Sequence, residues 1–183
     1  MGEKLNYQSP FKGRFAEAIT EMMFRGSGVD IRRTGYEWIR PLLPTRDVNF
    51  NAGLKNQLSG MPDFYLLLPK EGEAPKLERE FVEVKFCWDG WLPRNWEIVE
   101  EVRNSPWQPT LIVIQYLHHA PHVKGSRMLV YHSPYKMSHG HIEGAESVLD
   151  QERWHIDPDV YARCEEMIDL FQSIEKILGP PSQ

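Results

Sequence analysis

GMPDFYLLLPKEGEAPKLEREFVEVKF, residues 60–86, holds two short apolar runs, FYLLL (64–68) and FVEVKF (81–86), around a charged loop. Runs of this length bounded by Pro, Gly and charges read as strands, here the two arms of a hairpin. Side chains two apart on a strand share a face. Glu83 and Lys85 therefore point together, while Val82, Val84 and Phe86 point the other way into a core. Asp63 opens the first run. A carboxylate and an ammonium side by side, within reach of an aspartate on the neighbouring strand, suggest a hydrolytic metal site. Mg2+ prefers oxygen ligands and keeps several waters, so one or two carboxylates and substrate phosphate oxygens suffice to hold it. A bound divalent ion acidifies its water and neutralises charge developing on a phosphodiester.

Upstream, Phe11 to Arg25 is expected to be a helix introduced by Ser9-Pro10. Phe15, Ala18, Ile19, Met22 and Met23 recur at three- and four-residue steps and give it one apolar face. Gly26 ends it and Gly28 helps turn the chain. Glu17 and Glu21 lie one turn apart on the same side. Val29 to Arg40 reads as strand, broken at Thr34-Gly35, with Glu37 as a further possible ligand.

Pro62-Asp63, a gap of nineteen residues, and Glu83-Val84-Lys85 resemble the PD-(D/E)XK nuclease superfamily. Lys12-Gly13-Arg14-Phe15-Ala16-Glu17 resembles the first helix of the archaeal Holliday junction resolvase branch. The resemblance spans about residues 10 to 90. It implies a restriction-endonuclease-like α/β core, a mixed central β-sheet flanked by helices. It implies that Asp63 and Glu83 bind Mg2+, with Mn2+ able to substitute, and that the Val84 carbonyl is a third oxygen ligand. Lys85 then serves the nucleophilic water, and Glu17 joins the metal or water network. The expected function is a metal-dependent phosphodiesterase cutting DNA, structure-selective as a junction resolvase is. A symmetric junction needs two cuts, so a homodimer follows from that subclass. The alternatives are a non-catalytic nucleic-acid-binding or assembly module on the same fold, or a nuclease directed at RNA.

Pro41 to Gly60 has no clear period and many turn formers. A loop of this length inside a compact domain is usually functional or disordered. Standing just before the metal-site strand, it is a candidate for substrate contact through Arg46, Lys55, Asn56 and Gln57. The resolvases have no such segment, which bears on junction specificity. Lys12, Arg14, Arg32 and Arg33 are further candidates for phosphate contact.

Trp88, Trp91, Trp96 and Trp107 form an aromatic-rich stretch, whose rings either stack on unpaired bases or fill a core. Arg94 to Asn104 reads as a helix. Thr110 to Leu117 reads as a buried strand, with Gln115 a polar site candidate on it. His118, His119, His122, His139 and His141 lack the cysteine partners and rigid spacing of a zinc site and read as polar loop. Met128 to His132 reads as a short strand. Asp157-Pro158 caps and opens a final helix with a long apolar stripe.

The chain has 183 residues, 41% hydrophobic and 26% charged, and reads as one domain (1–183) with loose ends at 1–9 and 179–183. No run approaches a membrane span. Two cysteines, no signal-type N-terminus and no cofactor motif beyond the metal point to a reduced, cytoplasmic setting. The net charge of -5 divides unevenly. Residues 1–60 hold nine Lys or Arg against six Asp or Glu, a net of +3, and residues 61–183 hold twelve against twenty, a net of -8. A basic first part is what phosphate binding would use.

Overall fold

The computed structural model describes residues 8–34, 61–69, 76–87, 100, 102–115, 126–138 and 141–178. Helix α1 is Gln8–Gly26, followed by strands β1 (Asp30–Arg33), β2 (Phe64–Pro69), β3 (Leu77–Cys87), β4 (Thr110–Gln115), β5 (Met128–Tyr131), β6 (Lys136–Ser138), β7 (His141–Glu143) and β8 (Glu146–Ser147). Two 3-10 turns, Val148–Asp150 and Glu152–Trp154, lead to the last helix α2, Pro158–Leu178.

β1, β2 and β3 form an antiparallel meander in which Phe64 pairs Val82 and Ile31 pairs Leu66. β4 then lies parallel to β3, with Val84 opposite Ile112. β5 and β8 add antiparallel, giving one mixed sheet of order β1-β2-β3-β4-β5-β8. β6 and β7 make a separate two-stranded hairpin. The expected mixed α/β sheet flanked by helices is therefore present.

Alternation sorts the sheet into two faces. Phe64, Leu66, Val82, Val84, Ile112 and Ile114 join the larger core with Ile19, Met23 and Phe24 of α1 and Cys164, Ile168 and Phe171 of α2. Each such side chain contributes about 1.5–3 kcal/mol by leaving water. The opposite face carries Cys87, Leu111, Val113, Leu129 and Tyr131, against which Tyr135 and Ile142 pack. β4 is buried along its whole length.

α1 and α2 run antiparallel on the first face. Phe15 stacks on Phe171 at 4.0 Å, and the other end of α1, at Gly26, meets Val160. α1 ends in a Schellman turn: Val29 N–H donates to the Phe24 carbonyl at 2.9 Å and Gly28 N–H to Arg25 at 3.0 Å. Gly28, not Gly26, takes the left-handed conformation that this turn requires, with φ +81°. The Ser27 hydroxyl then accepts from Asp157 N–H at 2.9 Å, tying the end of one helix to the start of the other. Asp157 caps α2 as its sequence suggests, accepting from Asp159 N–H at 2.8 Å and Val160 N–H at 3.4 Å.

Several boundaries move. β3 begins at Leu77, four residues before the apolar run, because pairing with β2 continues through Glu78 and Arg79. The strand expected over 29–40 is Asp30–Arg33 among the described residues. Residues 35–60, most of the expected 94–104 helix and His118, His119, His122 and His139 lie outside the described residues. No helix among the described residues is long and apolar enough to cross a membrane.

Candidate metal-binding site

Asp63 is the last residue before β2, on a bend after Pro62. Continued one step past Phe64 and Val82, the register sets Asp63 across from Glu83, and one step more sets Pro62 across from Val84. Asp63 Oδ2 accepts the Val84 N–H at 2.8 Å. The side chain thus takes the donor that a continuing β2 would have paired through its backbone. Pro62 has no N–H to offer the Val84 carbonyl from that position. On its other side, the Asp63 carbonyl accepts from Thr34 N–H at 2.9 Å, so the end of β1 holds the bend.

Glu83 and Lys85 stand together, as alternation requires, on the face away from α1 and α2. The Lys85 ammonium donates to Glu83 Oε1, and both side chains are mostly buried. Val82 and Val84 between and beside them are in the core. Asp63, Glu83, the Val84 main chain and Lys85 therefore converge on one end of the β2–β3 pair.

Tyr135 joins this corner on the same face of the sheet. It packs against the cluster of Cys87, Leu111, Val113, Leu129 and Tyr131, and its hydroxyl donates to the Pro109 carbonyl. Burial first, and then the Glu83 charge, push its phenol above the ordinary range. Nothing local in the sequence marks Tyr135, since β3 and the segment after β5 meet only through the sheet.

Glu17 is placed differently. Its carboxylate accepts from Arg33 Nη1 at 2.9 Å, while Glu21 accepts from Arg33 Nε at 2.6 Å. Arg33 shares its strand face with the core residue Ile31 and lies over the Phe64 ring at 5.2 Å, so this cluster sits on the helix side of the sheet. Among the described residues no three His, Cys, Asp or Glu side chains gather into a metal-holding group. Two carboxylates and one carbonyl remain, and that donor set fits a hard divalent ion, which needs only one or two carboxylates when it retains water and takes substrate oxygens.

The candidates for nucleic-acid contact divide. Arg14 is exposed and Lys12 half-buried on α1. Arg32 is exposed and paired with Asp30 at 3.1 Å, which raises its own pKa and lowers that of Asp30. Arg33 is held by Glu17 and Glu21. Gln115 is 0% exposed, with Nε2 donating to the Ser126 carbonyl at 3.1 Å. It sits at the end of β4, which is buried along its whole length. Arg46, Lys55, Asn56, Gln57 and Glu37 lie outside the described residues.

No family model and no curated protein sequence matches this chain.

Proposed function

We propose that the protein is a metal-dependent phosphodiesterase that cleaves DNA, with its site at Asp63, Glu83, Val84 and Lys85. The observation that carries this reading is the Asp63–Val84 bond of 2.8 Å, which fixes one carboxylate beside a second carboxylate and a lysine. A mixed sheet flanked by helices is also the coarse architecture that the resemblance to the PD-(D/E)XK superfamily implies.

In this reading Asp63, Glu83 and the Val84 carbonyl oxygen hold Mg2+ or Mn2+. The ion, when bound, supplies an acidified water and offsets charge on the scissile phosphate. Lys85 hydrogen-bonds Glu83 in the resting arrangement, which holds its ammonium beside the carboxylates. There it orients the attacking water or stabilises the charge that builds on the phosphate oxygens. Glu17, engaged with Arg33, supports the site from the helix side through β1, whose end anchors Asp63. Structure-selective cutting by a homodimer, in the cytoplasm, is the finer form of the proposal.

A cleavage panel tests it. Linear duplex, single strand, flap, four-way junction and structured RNA are incubated with Mg2+, Mn2+ or EDTA. Asp63→Asn keeps an oxygen to accept the Val84 N–H, so its unfolding temperature stays near wild type while cleavage falls. Lys85→Ala lowers cleavage about 10²–10⁴-fold, the range for removing a group that handles the proton of the nucleophile. Metal-dependent cutting lost in both variants supports the reading, and the preferred substrate selects the subclass. Tight binding without cutting favours the non-catalytic module. Cutting that survives both substitutions removes the assignment.

A further inference from the structure

The sheet face that bears Glu83 and Lys85 continues along β2 and β3 as a strip of aromatic and cationic side chains. Phe81 is two residues before Glu83 on the same strand face, about 7 Å away. Tyr65 pairs with Phe81 across the hairpin. Arg79, one diagonal further along, lies over the Tyr65 ring at 5.2 Å. Trp107, from the turn before β4, packs on Phe81 at 5.1 Å with the rings tilted by 60°. Trp107 is 36% exposed, and Arg79 is exposed. The larger core lies on the other face, so these rings are not part of it.

We infer that the strip of Tyr65, Arg79, Phe81 and Trp107 is a stacking platform that leads an unpaired polynucleotide strand to the Asp63–Glu83–Lys85 site. The inference rests on the nuclease reading for its direction toward that site. Two observations and one property of nucleic acids favour this occupant. An arginine stacked on a tyrosine presents a cation and a π-face together, and both suit a phosphate-linked base. The strip is continuous with the carboxylate site on one strand face, so a bound strand is already aligned with it. Finally, stacking needs an open base face, which unpaired bases offer and bases within a duplex do not. The inference therefore narrows the substrate class to strands with unpaired nucleotides next to the cut.

The test is binding of a fluorescent oligonucleotide in EDTA, where cutting does not interfere. Single-stranded DNA, the same sequence as RNA and the corresponding duplex are compared. Trp107→Ala and Arg79→Gln are measured beside Leu170→Ala, which alters an exposed side chain on α2 across the sheet. Each strip variant weakens single-strand binding about five- to hundredfold, the range for losing one stacking partner. Duplex binding and Leu170→Ala stay near wild type, and Trp107→Phe recovers much of the affinity. Single-strand affinity unchanged in both strip variants overturns the inference. So does an equal loss on duplex, or a loss of self-association in place of strand binding, which would make the strip a protein interface. If strand binding depends on Trp107 while cleavage survives Asp63→Asn and Lys85→Ala, the strip stands and the nuclease site falls. If metal-dependent cleavage is present but strand binding is indifferent to Trp107 and Arg79, the nuclease site stands and the strip falls.

Discussion

Glu80 lies on β3 with its side chain turned to the helix-bearing face. Its carboxylate accepts from Thr110 Oγ1 at 2.6 Å and from the Trp154 indole at 3.0 Å, and also from Arg153. Trp154 is fully buried against Phe24, so without Glu80 its N–H has no water to turn to. Glu80→Ala should cost about 2–3 kcal/mol, the upper part of the range for leaving a buried donor without its acceptor. Urea unfolding measures it, and Glu80→Gln, which keeps one oxygen, should cost less. A loss below about 0.5 kcal/mol would show that the three bonds only break even. The alternation that places Val82 and Val84 inward also places Glu80 inward. The apolar run starts at Phe81, however, and that spacing gives no reason to extend the strand back through Leu77–Glu80. That Glu83 and Lys85 share a strand face was legible because they sit within the run. Tyr135 and the Arg33 pairing with Glu17 and Glu21 were not, because each joins elements that only the sheet brings together.

The two helices were the most legible elements, and their packing the least. Their apolar stripes repeat every three or four residues, and Asp157 announces its own cap. What no stripe reveals is that α2 leaves no room for a side chain at Gly26. A Cβ built there would stand 2.8 Å from Val160 Cγ1, inside any real contact. Gly26→Ala therefore sets an overpacking cost of about 1–3 kcal/mol against a helix-propensity gain of up to about 1 kcal/mol. The net effect should be destabilising by about 1 kcal/mol in the native background. With Val160→Ala already in place, the clash is gone and the same substitution should stabilise. Thermal unfolding of the four proteins in that cycle measures the change of sign, and its absence would mean that the helices slide apart freely. The strands β6, β7 and β8 have two or three residues each. They owe their existence to partners distant in sequence or to a tight local pairing, and too short a pattern survives to be read.

For the molecule as a whole, the mixed sheet between helices and a separate face was legible, as was the basic excess of the first sixty residues. The use of that charge was not. Arg25, Arg32 and Arg33 all meet carboxylates, so the described part of the excess is largely spent inside the protein. Both sheet faces also bury groups that ionise in alkali. Burial pushes Tyr131 and Tyr161 from 10.0 up to about 12 and Cys164 from 9.0 up to about 11. The unfolded chain therefore releases these protons first, and the folded state binds more of them between the two values. Stability is full below pH 9 and falls as pH rises from about 9 to about 12. Unfolding temperatures measured from pH 7 to 11.5 should be level at first and then drop, and a flat profile throughout would mean that these groups are solvated.

The Ser27–Asp157 bond joins residues 130 positions apart, and it closes a core that draws on both ends of the chain. On the ribosome, order of synthesis and order of packing therefore run against each other. Ile19, Met23 and Phe24 emerge among the first residues, yet Cys164, Ile168 and Phe171, which complete their surroundings, emerge among the last. Until then the apolar side of α1 has only part of its cover, and a chain halted before Pro158 lacks Cys164, Ile168 and Phe171 from that core.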